Sequence, residues 1–218
     1  MSNSMQHLNG DIFCVIDVET TGDILGHHEV VQICLLPLDS NMEVIQDVLP
    51  FYMNIKPDRP EAAQKAAMKV NKLDMFKLCS TGIDKFAAIG LLKNWMYETL
   101  KLPYNKSGYH RCRVVPVGHN YCGFDYGFIR AWFDECSEDY NEFFSFHPRD
   151  TMIFAAGIND RMAMRAKAVP FPKLGLKDIA KVLGVDYDTS RHHDALYDCQ
   201  LTANVFKQLA FTDIVGMY

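Results

Sequence analysis

The sequence predicts an α/β sandwich built around a mixed sheet. Three observations carry that prediction. Short apolar runs rich in β formers open the chain, a stretch with helical 3–4 spacing follows, and from Val114 onward a strand and helices alternate. Phe13 to Asp17 (FCVID) is an unbroken apolar run, which predicts a buried strand. ETTGD, ending at Asp23, is a turn cluster. Val30 to Leu38 (VVQICLLPL) predicts a second strand, with Pro37 marking an edge or a frayed end. Asp39-Ser40-Asn41 is a hairpin turn signal. Val44 to Ile55 predicts a third strand, broken or bulged at Pro50, so the chain opens as an antiparallel meander. Pro60 to Val70 is rich in Ala and Lys and starts with Pro at a first helical turn. Ile83 to Leu100 places Phe86, Ile89, Leu92, Trp95, Met96 and Leu100 on one helical face. Val114 to Val117 predicts a short strand. Asp125 to Phe133, Leu176 to Leu183 and Asp194 to Leu209 predict helices.

A chain of 218 residues is long enough to bury a large core without staples. No linker or repeat divides it, which predicts one domain over residues 11–210 behind a loose leader, residues 1–10. The net charge of −5 excludes holding duplex DNA by bulk charge, and leaves a short single strand bound through a local basic groove or through metal ions. The polar start lacks the apolar core of a signal peptide, and no run reaches the 18 or so apolar residues of a membrane helix. Seven cysteines with no C-x-x-C pair argue against a disulfide framework or a zinc site, and place the protein in the reducing cytoplasm.

The chemistry is carried by acids. Asp17 and Glu19 in IDVETTG lie two apart on a strand and so share one face. Neighbouring carboxylates repel each other and resist burial, and a cation between them removes both costs. The alternative is that they mark the strand's exit into solvent. Asp125 in GHNYCGFDYGF opens a helix, where an acid is also stabilised by the helix dipole. Asp198 in HHDALYDCQLTANVF has Leu196, Cys199 and Ala203 as apolar neighbours, and an acid so placed needs a partner. His193 lies five residues earlier. Five helical steps leave two side chains about 140° apart, so His193 meets Asp198 only from a loop before the first turn, with Asp194 as the helix-starting acid.

IDVETTG, GHNYCGFD and HHDALYD together resemble, in order, the three motifs of the DEDDh, or DnaQ-like, 3′→5′ exonucleases. KSGYHRCRVVPVGHN, SFHPRDT and DYDTSRHHDALYD are similar to the RNase T branch of that family. The resemblance implies a ribonuclease H-like three-layer α/β/α sandwich around a mixed five-stranded sheet. It implies that Asp17, Glu19, Asp125 and Asp198 hold two Mg²⁺ or Mn²⁺ ions and that His193 is the general base. A nucleoside 5′-monophosphate would leave from the 3′ end of single-stranded RNA or DNA, with RNA trimming favoured. It further implies an RNase T-like homodimer, and no membrane partner. Two departures stand out: Gln32 occupies a position where many relatives carry Glu, and Val70 stands where RNase T-like sequences favour an aromatic residue.

Two acid-free stretches offer guides for a strand. Lys101 to Phe124 alternates Lys101, Lys106, Arg111 and Arg113 with Tyr104, Tyr109 and Tyr121; Arg161 to Lys177 carries Arg161, Arg165, Lys167, Lys173 and Lys177. Solvated loops are the other reading of both. Arg111, Arg113, Asn120, Phe124, Thr20 and Thr21 are the candidate substrate contacts, Phe124 by stacking on a base and the threonines at a terminal sugar. The rival functions are DNA end trimming or proofreading with a polymerase, and, in another class, a non-catalytic single-strand-binding module. A binding module has no use for four metal-binding acids and a base.

Overall fold

The structure, a computed structural model, describes residues 5–7, 10–103, 112–191 and 193–211. Its sheet has five strands in the order β3-β2-β1-β4-β5. The central strand β1 (Ile12–Thr20) pairs antiparallel with β2 (Val30–Pro37) and parallel with β4 (Val114–Gly118), and β4 pairs parallel with β5 (Arg149–Asp150). The meander closes with β3 (Phe51–Asn54), shorter than the sequence suggests. Of the earlier residues in the expected strand, Val44 makes only an isolated bridge to Leu38. Pro50 has no N–H to give a ladder, so regular pairing starts just after it. The turn between β2 and Val44 forms as expected: Asp39 Oδ1 accepts from Asn41 N–H and Glu43 N–H.

Alternation along β1 sorts the layers. Ile12, Cys14, Ile16 and Val18 face a core with α3 (Lys85–Glu98), α4 (Asp125–Glu135) and α5 (Tyr140–Phe143). Phe13 and Val15 face α8 (Ala195–Phe211) on the other side. Outside α8 lie α6 (Thr151–Ala166) and α7 (Leu176–Leu183), which share a third apolar cluster with it. This is the expected three-layer sandwich. Two short helices, α1 (Lys65–Asn71) and α2 (Met75–Thr81), connect β3 to α3.

Helix α6 is the main surprise. Its C-terminal part falls in the second basic stretch, where solvated loop was one reading. Ala155, Ile158 and Met162 form its buried stripe, whereas Met164 is exposed. Asp150 caps it by accepting from Met152 N–H. At the N-terminus, Met5 packs on the core and the His7 ring meets the edge of Phe13. Among the described residues no helix is long and apolar enough to cross a membrane.

Candidate active site

The site forms where parallel strands part. β1 and β4 pair over Ile12–Val15 and Val114–Val117; β1 then runs on to Thr20 while β4 stops at Gly118. A crevice at the carboxyl ends of parallel strands is where α/β sheets hold ligands. Val18, beyond the last β4 partner, donates its N–H to Asp125 Oδ1 at 3.1 Å. That bond fixes the first residue of α4 beside β1. Asp17 and Glu19 extend the Phe13–Val15 face toward α8, and Asp198 comes from the first turns of α8.

His193 reaches the acids by the route its spacing demands. It lies before α8 with φ +64°, a left-handed conformation that costs a non-glycine residue about 1–2 kcal/mol. Its N–H donates to Asp198 Oδ2 at 2.9 Å, which holds the reversal. Asp194 caps the helix by accepting from Tyr197 N–H at 3.0 Å. Ligating atoms of Glu19, His193 and Asp198 consequently lie within 4.8 Å of one another.

Three carboxyls of the site, Asp17, Glu19 and Asp125, hold their protons tightly. Burial raises Asp17 well above the usual carboxylate range, reinforced by Asp125, Glu19 and Asp198. Glu19 is pushed up to about 8, first by burial and then by Asp198 and Asp125. Asp125 is also pushed up to about 8 by burial, against the opposing pull of the Val18 N–H. Crowded, desolvated hard-oxygen donors match a divalent cation such as Mg²⁺ or Mn²⁺, which stabilises the ionised form each carboxyl otherwise avoids. Among the described residues, Glu19, His193 and Asp198 form a group whose ligating atoms lie close enough to hold a metal ion, with Asp17 and Asp125 in the same cleft.

All five side chains line one cleft of about 830 Å³. Its walls include Ala66, Ala67 and Val70 from α1, together with Phe124, Met152 and Leu174. Acids at the bottom and apolar walls above suit a ligand with a phosphate and a base.

The comparisons with known proteins agree with this geometry. A family model described as Exonuclease matches residues 109–206, a span that holds Asp125, His193 and Asp198. Ribonuclease T of Wigglesworthia glossinidia brevipalpis is 26% identical over 198 residues, covering 89% of this chain and 82% of that protein. Ribonuclease T of Shewanella frigidimarina is 26% identical over 208 residues, covering 94% and 85%. The matched span resembles the DnaQ-like, RNase T type of exonuclease domain, and the curated relatives it accompanies are ribonucleases T. The chain shares its fold with E. coli Exonuclease I in complex with a dT13 oligonucleotide, at a TM-score of 0.71 and 20% identity over 92% of this chain. It spans about two fifths, 41%, of that chain's length. The family match and the ribonuclease T relatives support a nuclease, and divalent-metal dependence is general to that family.

The other expected contacts divide. Thr20, Asn120 and Phe124 line the cleft. The Thr20 hydroxyl donates to the Gly22 carbonyl. Thr21 is fully buried and its Oγ1 accepts from Glu29 N–H, so it holds the turn after β1 and does not face the cleft. Arg113 sits at the start of β4, five residues before Gly118, and at about 3.3 Å per residue that is roughly 16 Å from the cleft end of the strand. Arg111, with Tyr104, Lys106 and Tyr109, lies outside the described residues. Tyr121 is no stacking platform: it is fully buried and its hydroxyl bonds that of Tyr140 at 2.9 Å. Of the second basic stretch, Lys173 is exposed and Lys177 lines the cleft.

Two supporting residues, Asp150 and Asn71, escape the sequence reading. Asp150, buried at the end of β5, accepts from Asn120 N–H at 3.1 Å and Cys122 N–H at 3.4 Å, as well as capping α6. It thus shapes the turn that delivers Asp125. In that turn Asn120 adopts φ +58°, and its Oδ1 would lie 2.4 Å from a Cβ at position 123, which is why Gly123 is there. Buried Asn71 donates from Nδ2 to the Thr20 carbonyl and accepts from Leu73 N–H, tying α1 to the end of β1. His119 contacts Thr151 Oγ1 through Nδ1 at 2.9 Å, and the Thr151 hydroxyl donates to the Gly118 carbonyl. The hydroxyl proton is thereby spent, so His119 Nδ1 is the donor and Nε2 the free acceptor of a neutral ring. Burial lowers the pKa of His119, in keeping with that state. SFHPRDT, which contains Asp150, was the signal available in the sequence, but nothing in it assigns Asp150 three N–H groups.

Proposed function

We propose that this protein is a two-metal-ion 3′→5′ exonuclease releasing nucleoside 5′-monophosphates from single-stranded ends, with RNA trimming of the RNase T type as its role. The observation that carries this reading is the convergence of Asp17, Glu19, Asp125, His193 and Asp198, from both ends of the chain, on one cleft. Asp17, Glu19, Asp125 and Asp198 would hold two Mg²⁺ or Mn²⁺ ions. When bound, such ions neutralise phosphodiester charge and make a coordinated water acidic. His193 takes the proton of the attacking water, oriented by the bond from its backbone to Asp198. Phe124, which rests on Phe128 with ring centroids 4.9 Å apart, offers a face to the terminal base. The α1 residues that line the same cleft, Val70, Ala66 and Ala67, are aliphatic and offer no second ring to stack on.

The domain of 11–210 acts as one catalytic unit in this reading. A homodimer of the RNase T kind would give Arg113 a use, since it lies at the end of β4 remote from its own cleft. A monomeric mass in solution at working concentrations removes that arm of the proposal. A DNA 3′ end is the second substrate reading, favoured by the fold shared with an Exonuclease I bound to dT13.

The test uses 5′-labelled single-stranded RNA and DNA of one sequence, with Mg²⁺ or with EDTA. A metal-dependent ladder shortening from the 3′ end is expected, and the faster substrate sets the role. His193→Ala is expected to slow it by about 100-fold or more. Strand binding with no ladder on either substrate, with Mn²⁺ also supplied, would establish the binding module instead.

A further inference from the structure

We infer that Gln32 is a positioning residue for the general base, acting through the start of α8; the inference rests on the proposed role of His193. Gln32 lies on β2 directly opposite Glu19, and on its other side opposite Asn54 of β3. It is 3% exposed, and both ends of its amide are engaged. Oε1 accepts from Ala195 N–H at 3.1 Å, and Nε2 donates to Asn54 Oδ1 at 2.8 Å.

Ala195 is the first residue of α8, and its N–H is one of the four at a helix start with no partner inside the helix. Asp194 satisfies the Tyr197 N–H three residues on. Gln32 satisfies Ala195 N–H from 163 residues away in sequence. The first turn of α8 is therefore tied to the sheet at its first residue, two residues after His193 and three before Asp198. Tyr52, on β3 opposite Cys34, adds a longer contact from its hydroxyl to Asp194 Oδ2 at 3.4 Å. His193 sits in an unfavoured backbone conformation, so its place depends on fixed points on either side. The Ala195 N–H, which can only donate, fixes which way the Gln32 amide faces, and Asn54 accepts from its other end. Groups that hold a metal site's ligands in place typically change activity about 10–100-fold when removed, and Gln32 acts one step further out, on the turn between His193 and Asp198.

The geometry also ranks substitutions. What Ala195 needs is an acceptor at the Oε1 position. Glu supplies it, and the Asn54 amide can turn over to donate to the second oxygen. Asn is one methylene short and Leu has no acceptor. Gln32→Leu is expected to lower kcat about 10-fold with KM for the oligonucleotide within about 2-fold, while Gln32→Glu stays within about 3-fold of the parent. In the metal-free proteins, amide exchange in the peptide spanning 193–198 is expected to quicken in Gln32→Leu and not in Gln32→Glu. A residue that served stability alone would lower Tm without this split between kcat and KM. If Gln32→Leu yields no folded protein, Gln32→Asn replaces it with the same expectation. Full kcat and unchanged exchange in Leu or Asn variants would overturn the inference. A parent protein inactive on every substrate would instead overturn the proposed function, and amide exchange alone would then decide whether Gln32 anchors α8.

Discussion

Asp125→Asn is expected to abolish hydrolysis, by about 10⁴-fold in kcat, while raising the Tm of the metal-free protein at alkaline pH. The two effects have one cause. Asp125 is buried beside Asp17 and Asp150, and its carboxyl resists ionisation up to about 8. Asn keeps the Oδ1 that accepts from Val18 N–H, so the backbone of β1 stays satisfied. It removes a negative charge that the folded state holds at a cost. Relief of about 1–2 kcal/mol corresponds to roughly 3–6 °C in a chain of this size. The loss of one carboxylate weakens cation binding, and several kcal/mol of transition-state stabilisation go with it. Asp125→Ala is the informative contrast, because it leaves Val18 N–H unpaired and is expected to lower Tm. Kinetics beside thermal melts at about pH 9 in EDTA read both effects. An active Asn variant would remove Asp125 from the metal set.

Without divalent cations the protein is expected to lose stability as pH rises from about 4 to about 8, and to recover it when Mg²⁺ or Mn²⁺ is added. In the unfolded chain Asp and Glu release their protons near pH 4. In the folded, metal-free protein Glu19 and Asp125 keep theirs until about 8, and Asp17 is raised as well. Between those limits the folded state binds more protons than the unfolded state, so the free energy of unfolding falls with rising pH. The contribution is complete below pH 4 and gone above about 8. Its size is several kcal/mol, a fall on the order of 10 °C or more in Tm. A cation competes with those protons, so its stabilising effect grows with pH, reaching about 2.7 kcal/mol at a hundred times its Kd. Thermal melts across this range, with EDTA and with saturating cation, make the measurement. A Tm that is flat with pH and indifferent to both ions would contradict the assignment of these acids as a metal site.

Much of the architecture was legible because it rests on local pattern. β1 reads as buried because FCVI is apolar without alternation, and both faces of that strand are covered. The meander, α3, α4, α7 and α8 follow from periodicity and turn residues. Other elements were not legible. Helix α6 has a thin apolar stripe of Ala155, Ile158 and Met162, interrupted by Gly157 and Asp160, and its stability comes from packing on α7 and α8. Strand β5 is two residues long and exists because β4 is beside it. The third strand was overextended because pairing, set by Pro50 and by the length of β2 opposite, decides where a strand begins.

The five acidic and basic candidates were found from types and spacing, yet spacing alone left open whether Asp17 and Glu19 face solvent or a cation. Arg113 and Thr21 show the same boundary from the other side. Their residue types suit nucleic acid, but Arg113 lies at the end of β4 remote from the cleft and Thr21 is buried in a turn. By itself, the sequence determined the order of most strands and helices and the condition that His193 must stand off the helix, because these depend on neighbours within a few residues. Only the tertiary structure decided that the condition is met. That required a left-handed His193, Asp150 shaping the turn before α4, and a Gln32 amide reaching the start of α8. Each of these satisfies a backbone group left over by secondary structure, and which side chain does so depends on where distant segments meet.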